Sequence, residues 1–321
     1  YNAGSNGGNI SFKVDRSSIR QGNAVIAIKD VSDAILWSWH VWVTDEDINN
    51  VIEITNHQNV KYNFMPVNLG QCDGNTITYE ERSCKVKFIA GDQSKEITIK
   101  QLANVIATGS NAPFYQWGRK DPLYPSNGMG NTTKIWYDKE GIPSTANPMK
   151  GTFSAGNDCI KNCILNPNLM HNRYNGDYTY YNLWSADNKT TSANDNPVNK
   201  TIYDPCPVGF KLPASNAFTG FTTTGESVSS STQVNGTWSS SEKGWYFYTN
   251  SEKTQSIFFP ALGYRSYSTM RPGSIGTQGC FWSAHPVAKG NNYYLRTSSV
   301  DVQPTYMVDR GFGYALRPCQ D

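Results

Sequence analysis

The stretch 202–213, Ile-Tyr-Asp-Pro-Cys-Pro-Val-Gly-Phe-Lys-Leu-Pro, constrains this chain more than any other segment. Each proline fixes its own φ and pushes the residue before it towards extended backbone. Asp204 and Cys206 each precede a proline, so the stretch is predicted to be stiff and extended and cannot lie inside a helix. Cys206, flanked in this way, is suited to anchor a crosslink, and its distant candidate partner is Cys319. Just downstream, Ser215 or Asn216 is placed to cap a short helix.

A chain of 321 residues has length for one large core or two small ones. Charged residues are only 17%, so solubility has to come from Asn, Ser, Thr and Gly. Aromatics are 13%, enough to build a core and also a wet, sticky surface. That balance suits an exported β-protein better than a cytosolic enzyme. The net charge of +2 gives no case for nucleic acid. No apolar run reaches membrane-spanning length. The sequence opens on Tyr1 without a signal peptide and reads as a mature or trimmed form.

Periodicity predicts a β-rich α+β chain. Residues 1–9 read as a flexible tail, and 10–14, 24–29 and 35–43 as strands. Large side chains on both faces of 35–43 predict a central strand covered on both sides. Further strands are expected at 60–67, 84–90 and 94–100, with Pro66 marking an edge or bend. The Gly-, Pro- and Asn-rich 123–149 reads as a long surface loop, and 154–165 holds a candidate helical turn. A pseudo-repeat follows: Trp238-Ser-Ser-Ser leads to 245–249 and 258–265, and Trp282-Ser-Ala-His leads to 293–297 and 312–317. Antiparallel hairpins are its natural reading, with Trp184-Ser185 as a partial echo.

These motifs carry a resemblance. The stretch 203–213, Trp238–Ser-Ser-Ser and the run 311–319 (Gly-Phe-Gly-Tyr-Ala-Leu-Arg-Pro-Cys) resemble the Fibrobacter major paralogous domain, a branch of the C-type-lectin-like fold. Upstream, 35–43 (Ile-Leu-Trp-Ser-Trp-His-Val-Trp-Val), 63–70 (Asn-Phe-Met-Pro-Val-Asn-Leu-Gly) and 115–122 (Tyr-Gln-Trp-Gly-Arg-Lys-Asp-Pro) resemble fimbrillin-like surface proteins of Bacteroidetes. The resemblance implies a C-type-lectin-like fold with an N-terminal β-strand extension and long loop insertions. Its expected parts are a tail at 1–9, a β-rich part at 10–105 packed into the same unit, and the lectin-like domain at 106–321. It also supports the Cys206–Cys319 pairing.

Seven cysteines make an odd count. Cys72 with Cys84, Cys159 with Cys163 and Cys206 with Cys319 are the expected disulfides, leaving Cys280 over. Disulfides fit an extracellular or periplasmic site. The alternative is a metal site, against which stand the lack of a Cys-x-x-Cys pair and of any histidine at finger spacing. Asp45, Glu46 and Asp47 are a candidate calcium cluster, read more simply as a solvated turn. Sugar-binding C-type lectins hold calcium through Glu-Pro-Asn or Gln-Pro-Asp and Trp-Asn-Asp segments; this chain has Gln303-Pro304-Thr305 and no Trp-Asn-Asp. His40 is expected to be a hydrogen-bonded core histidine, and Cys280 a buried thiol rather than the nucleophile of a pair with His285.

The candidate ligand face is aromatic: Trp245, Tyr246, Tyr248, Tyr264, Tyr267, Tyr293 and Tyr294, with Arg265 and Arg296 beside them. Tyr, Trp and Arg are the types that anchor protein interfaces, and flat aromatics also stack on sugars. Taken together, the expectation is a non-enzymatic, exported protein on the surface of a Gram-negative bacterium. It would be a tip or accessory fimbrial subunit or an adhesin, binding fimbrial subunits or a protein or glycan. The alternatives are a glycan-binding or glycan-processing surface protein and, by fold analogy alone, an oxidase like the formylglycine-generating enzymes. No cofactor beyond the calcium candidate is expected.

Overall fold

The structure is a computed structural model that describes residues 2–4, 7–9, 15–16, 19, 21–72, 76–101, 103–107, 112–123, 136–137, 143–144, 152–153, 159–171, 180–288 and 290–321. The expected strand 10–14 and most of the expected loop 123–149 fall outside these. Within the expected tail, the backbone of Asn2–Gly4 pairs antiparallel with Gly7–Asn9. The chain is β-rich, with several small, mostly antiparallel sheets and few short helices. Among the described residues no helix is long and apolar enough to cross a membrane.

The chain divides into two compact units: Tyr1–Gly70 with Ala112–Asp321, and Gln71–Asn111. The smaller consists of two antiparallel pairs, Thr76–Tyr79 with Asn104–Ala107 and Arg82–Ala90 with Gln93–Gln101. The second is the hairpin that the sequence places around Gly91, whose φ of +62° suits glycine at the turn.

In the larger unit the proline-rich stretch is mainly turns rather than the expected extended run, with strand only at Phe210–Lys211. Phe210–Lys211 is a short strand pairing with Cys319–Gln320, which in turn meets Lys61–Phe64, itself paired with Ile52–Thr55. The strand holding Cys319 is thus interior to a four-stranded sheet. Asp204, buried between the two prolines' neighbours, accepts hydrogen bonds from the Cys206 and Leu212 amides at 2.8 and 3.1 Å and locks the turn. The bend at Pro66 follows the Lys61–Phe64 strand, where the sequence places it.

The pseudo-repeat forms two three-stranded antiparallel meanders. The first is Gly236–Ser239, Gly244–Tyr248 and Ser256–Pro260; the second is Gly279–Pro286, Asn291–Thr297 and Val302–Asp309. Period-2 alternation sorts the first meander's side chains. Trp245, Phe247, Ile257 and Phe259 are fully buried, while Tyr246 and Tyr248 are half-buried on the other face. The return strand of the second meander is Val302–Asp309, not 312–317. That later run instead places Gly313–Tyr314 between Tyr115–Gln116 and Tyr264–Arg265.

Two apolar clusters make the core. One is rich in phenylalanine: Phe64, Phe218, Phe221, Phe247, Phe259 and Phe281 interlock, with Phe221 stacked on Phe247 at 3.9 Å between ring centroids. The other gathers Trp117, Trp184 and Trp282 with Tyr115, Tyr294 and Tyr314. Buried indole N–H groups need acceptors, and they find backbone ones: Trp282 Nε1 donates to Tyr115 O at 2.8 Å and Trp117 Nε1 to Ser283 O at 3.1 Å.

Two local expectations fail. Ile35–Val43 is not a central strand: among the described residues it pairs only with Gly22–Lys29, and Leu36 and Trp39 are exposed. Trp37 is half-buried against Tyr203 and Lys120, and Trp42 on the opposite face packs on the tryptophan-rich core. The segment after Pro213 is a 3-10 helix, Ser215–Phe221, whose N-cap is Ala214. Ser215 Oγ is turned instead to Asn194 O and His285, so it does not cap.

Candidate functional site

The segment Tyr115-Gln-Trp-Gly-Arg-Lys-Asp, one of the motifs singled out above, is the hub from which the site is built. Its side chains reach into five separate stretches of chain. Gln116 Nε2 donates to His171 O at 2.8 Å while its Oε1 accepts from His171 N at 3.0 Å, a two-point clamp on one backbone unit. The same Nε2 reaches Gly311 O at 2.6 Å. Trp117 packs on Trp184 at 5.4 Å, and the Arg310 guanidinium sits 4.1 Å above the Trp117 ring. Gly118 has φ +81°, and a Cβ there would meet Leu183 at 2.3 Å, so the position requires glycine. Arg119 donates to the Pro167 and Leu169 carbonyls and shapes the turn that precedes His171. Lys120 is buried beside Asp121 at 2.6 Å, donates to Ser38 O at 2.8 Å, and lies 4.6 Å from the Trp37 ring centroid.

Against this hub lies the helix Cys159–Leu165. Cys159 and Cys163 are one turn apart, so their thiols share a face. His171, on the Met170–His171 strand, faces them: Cys159 Sγ is 3.2 Å from Nδ1 and 3.3 Å from Nε2. The donor atoms of Cys159, Cys163 and His171 all lie within 4.8 Å of one another. Among the described residues they are the one group of three or more Cys, His, Asp or Glu side chains that converge. Cys159 and His171 are buried, and Cys163 is partly exposed. Beside them is a cavity lined also by Trp117, Lys120, Leu183 and Tyr203. A hydrogen bond from Cys159 holds the Cys163 thiol well below its usual range, and the His171 imidazole and Arg119 guanidinium add to the effect against burial. The arrangement therefore favours thiolate character at a partly open position.

This cluster was missed in the sequence because no histidine stands at finger spacing from a cysteine. The signal was the i, i+4 spacing of Cys159 and Cys163, which matters only once a helix is known to carry them. All seven cysteines are free thiols in the structure, so the expected pairings Cys206–Cys319, Cys72–Cys84 and Cys159–Cys163 are not formed. Cys159 and Cys163 turn towards His171 instead. Cys206 and Cys319 are buried, and burial drives both thiols up, Cys319 to about 12. Cys84 is exposed on its strand. Cys280 is a buried thiol, pushed up to about 12 by burial.

The structure divides the expected aromatic ligand face. Trp245, Tyr293 and Tyr294 are buried within the meanders, and Arg265 is buried on the Tyr264–Arg265 strand. Tyr246, Tyr248, Tyr264, Tyr267 and Arg296 are half-buried. Tyr264 and Tyr267 each pack edge to face on Phe312, and Arg296 is held by Asp301 at 2.9 Å. Asp45, Glu46 and Asp47 are exposed: Asp45 accepts from the distant Gln21 side chain, and Asp47 accepts from the Asn49 amide at 3.0 Å in a local turn. Their carboxylates do not converge. His40 is hydrogen-bonded as expected, to Asn23 and to the Tyr115 hydroxyl, both at 2.8 Å.

Comparison with protein-family models, with curated proteins and with solved structures finds no match for this chain.

Proposed function

We propose that this chain is a non-enzymatic, exported cell-surface protein of a Gram-negative bacterium, acting as an accessory or tip-type fimbrial subunit through a C-type-lectin-like body. The observation that carries the reading is the meeting of three motifs far apart in sequence. Arg317 donates to Asn68, Met65 O and Pro66 O, and Cys319 lies between Lys211 and Phe64. The 63–70 segment, the proline-rich stretch and the 311–319 run, which carry the resemblance to surface proteins, thus form one buried joint.

Two further features support an accessory role over a shaft role. Shaft subunits that polymerise by strand donation release a strand to a neighbour's sheet. Cys319–Gln320 is interior to its own sheet and so is a poor donor. Gly22–Lys29, in contrast, has no second strand beside it among the described residues and presents an edge that can accept one.

The test is a blot of the sheared surface fraction from the native cells, run with and without boiling. High-mass species that collapse to monomer on boiling are expected. A monomer under both conditions contradicts the fimbrial reading, and retardation in a polysaccharide-containing gel would then favour a glycan binder.

A further inference from the structure

The Cys159, Cys163 and His171 cluster has a composition, geometry and burial that together specify a ligand. Its donors are two sulfurs and one imidazole nitrogen, the set that suits zinc-class ions and not the oxygen-seeking calcium or magnesium. Across a tetrahedral zinc ion, with Zn–S of about 2.3 Å and Zn–N of about 2.0–2.1 Å, sulfur and nitrogen stand roughly 3.6 Å apart. The Cys159 sulfur already lies 3.2 and 3.3 Å from the two ring nitrogens of His171. Cys163 completes the group with all three donor atoms within 4.8 Å of one another, so drawing them onto a common centre calls for re-orientation of side chains already side by side.

Charge points the same way. A divalent ion with two thiolates and a neutral imidazole sums to zero. The supports are also those of a metal site, where groups behind the ligands fix their orientation. Gln116 clamps both the N–H and the C=O of His171, and Arg119 holds the Pro167 and Leu169 carbonyls of the turn leading into it. Cys159 and Cys163 need only the helix that carries them.

We propose that Cys159, Cys163 and His171 bind one zinc-class divalent cation, with the fourth coordination position facing the cavity beside Trp117, Lys120 and Tyr203. The site is independent of the surface reading. Among the described residues no fourth Cys, His, Asp or Glu converges on it, so the remaining position is open to water or to a small donor from a partner. Gln116 is a positioning residue here.

The experiment uses the full chain, purified under reducing conditions, stripped with a chelator and titrated with Co2+ as a coloured substitute for Zn2+. Expected are saturation at about one Co2+ per chain, a near-ultraviolet thiolate-to-cobalt band, visible bands of tetrahedral cobalt, and their loss on adding Zn2+. Cys163→Ser should weaken Zn2+ binding by about 100-fold or more, and Gln116→Ala by about 10–100-fold with the bands retained at saturation. Cys84→Ser, at an exposed thiol outside the site, should change nothing. Absence of the thiolate band in the wild type overturns the proposal, as does unchanged Zn2+ affinity in Cys163→Ser. Should the variants fail to fold, X-ray absorption of the Zn2+-loaded wild type decides. A shell with sulfur and nitrogen supports the site, and an all-oxygen shell overturns it. A wild type whose Cys159 and Cys163 have formed a disulfide under reducing conditions, and which then takes no metal, also overturns it.

Discussion

Arg317 Nε donates to Asn68 Oδ1 at 2.7 Å across 249 residues of sequence, and both side chains are buried. The rest of the guanidinium reaches the carbonyls of Met65, Pro66 and Phe258 and lies over the Phe259 ring. No carboxylate is among these partners. The charge is carried by neutral acceptors, and burial pulls the group down to about 9, which still leaves it protonated at neutral pH. The planar fork of arginine, with its several fixed donors, suits a pocket of diverging carbonyls that a lysine cannot span.

Replacing Arg317 should therefore be costly in either direction. Arg317→Lys is expected to lose at least ~1–3 kcal/mol, because buried carbonyls of the 65–68 turn are left unpaired. Arg317→Ala should lose more. Chemical denaturation of the two variants measures it, and an Asn68→Ala double-mutant cycle should show coupling between the two positions. Wild-type stability in Arg317→Lys would contradict this account of the joint.

Lys120 and Asp121 form an ion pair in which both side chains are almost wholly buried. Burial lowers the lysine's affinity for its proton, and Asp121 opposes that. Removing one partner strands the other charge. Lys120→Met should destabilise the protein by about 3–5 kcal/mol, and Lys120→Met combined with Asp121→Asn should recover part of that loss. The check is a melting series on the two singles and the double.

Gly118 supplies a third prediction. Its left-handed backbone alone should cost any other L-residue ~1–2 kcal/mol, and the Leu183 contact adds to that. Gly118→Ala should lower the melting midpoint and shift Leu183 and its neighbour Trp184, whose fluorescence and near-UV dichroism would change. A fully exposed glycine with a positive φ, Gly209, gives the comparison for backbone strain without a clash.

Acid should weaken the fold before its carboxylates are protonated. His285 is fully buried, its Nδ1 accepts from the Ser215 amide at 3.3 Å, and burial lowers it from 6.5 to about 4. His40 is lowered to about 4 for the same reason. In each case the unfolded chain binds a proton in a range where the folded one does not. Stability is complete above pH 6.5 and falls as pH drops towards 4, by up to about 3 kcal/mol for His285. Urea denaturation between pH 6.5 and 5 should show the decline, and His285→Gln should flatten it. A stability that is level across that window would contradict the neutral, buried imidazole.

The first meander was legible because its alternating aromatics have the period of a strand with one covered face, whereas the first strand of the second is buried on both faces. The Ser-rich turns did the rest. That the 202–213 stretch is not helical was legible too, since proline restricts backbone whatever surrounds it, but its anchor is strand pairing with Cys319–Gln320 rather than the expected crosslink. What the sequence hid is carried by contacts between distant segments. Ile35–Val43 looked central because it is aromatic on both faces, yet among the described residues it pairs only with Gly22–Lys29. His171 reaches Cys159 and Cys163 through Gln116 and Arg119, neither of which is a metal-binding type. Arg265 was expected on the ligand face but is buried, because nothing local announces that the Met270 carbonyl will take its Nε–H. Cys159 and Cys163 were paired with each other by their position in the sequence, whereas the structure groups them with His171 on one face of a helix.

The reading of this chain as a component of a surface assembly is tested most directly by site-specific photo-crosslinking on intact native cells. A photoreactive residue is placed at Ala27, which is exposed on the open Gly22–Lys29 edge, and in a parallel strain at Val208, exposed on the proline-rich turn. The account predicts a defined adduct with a second surface subunit from position 27, one that survives boiling and is absent from position 208. Full accessibility of both positions to external protease with no adduct from position 27 would contradict it.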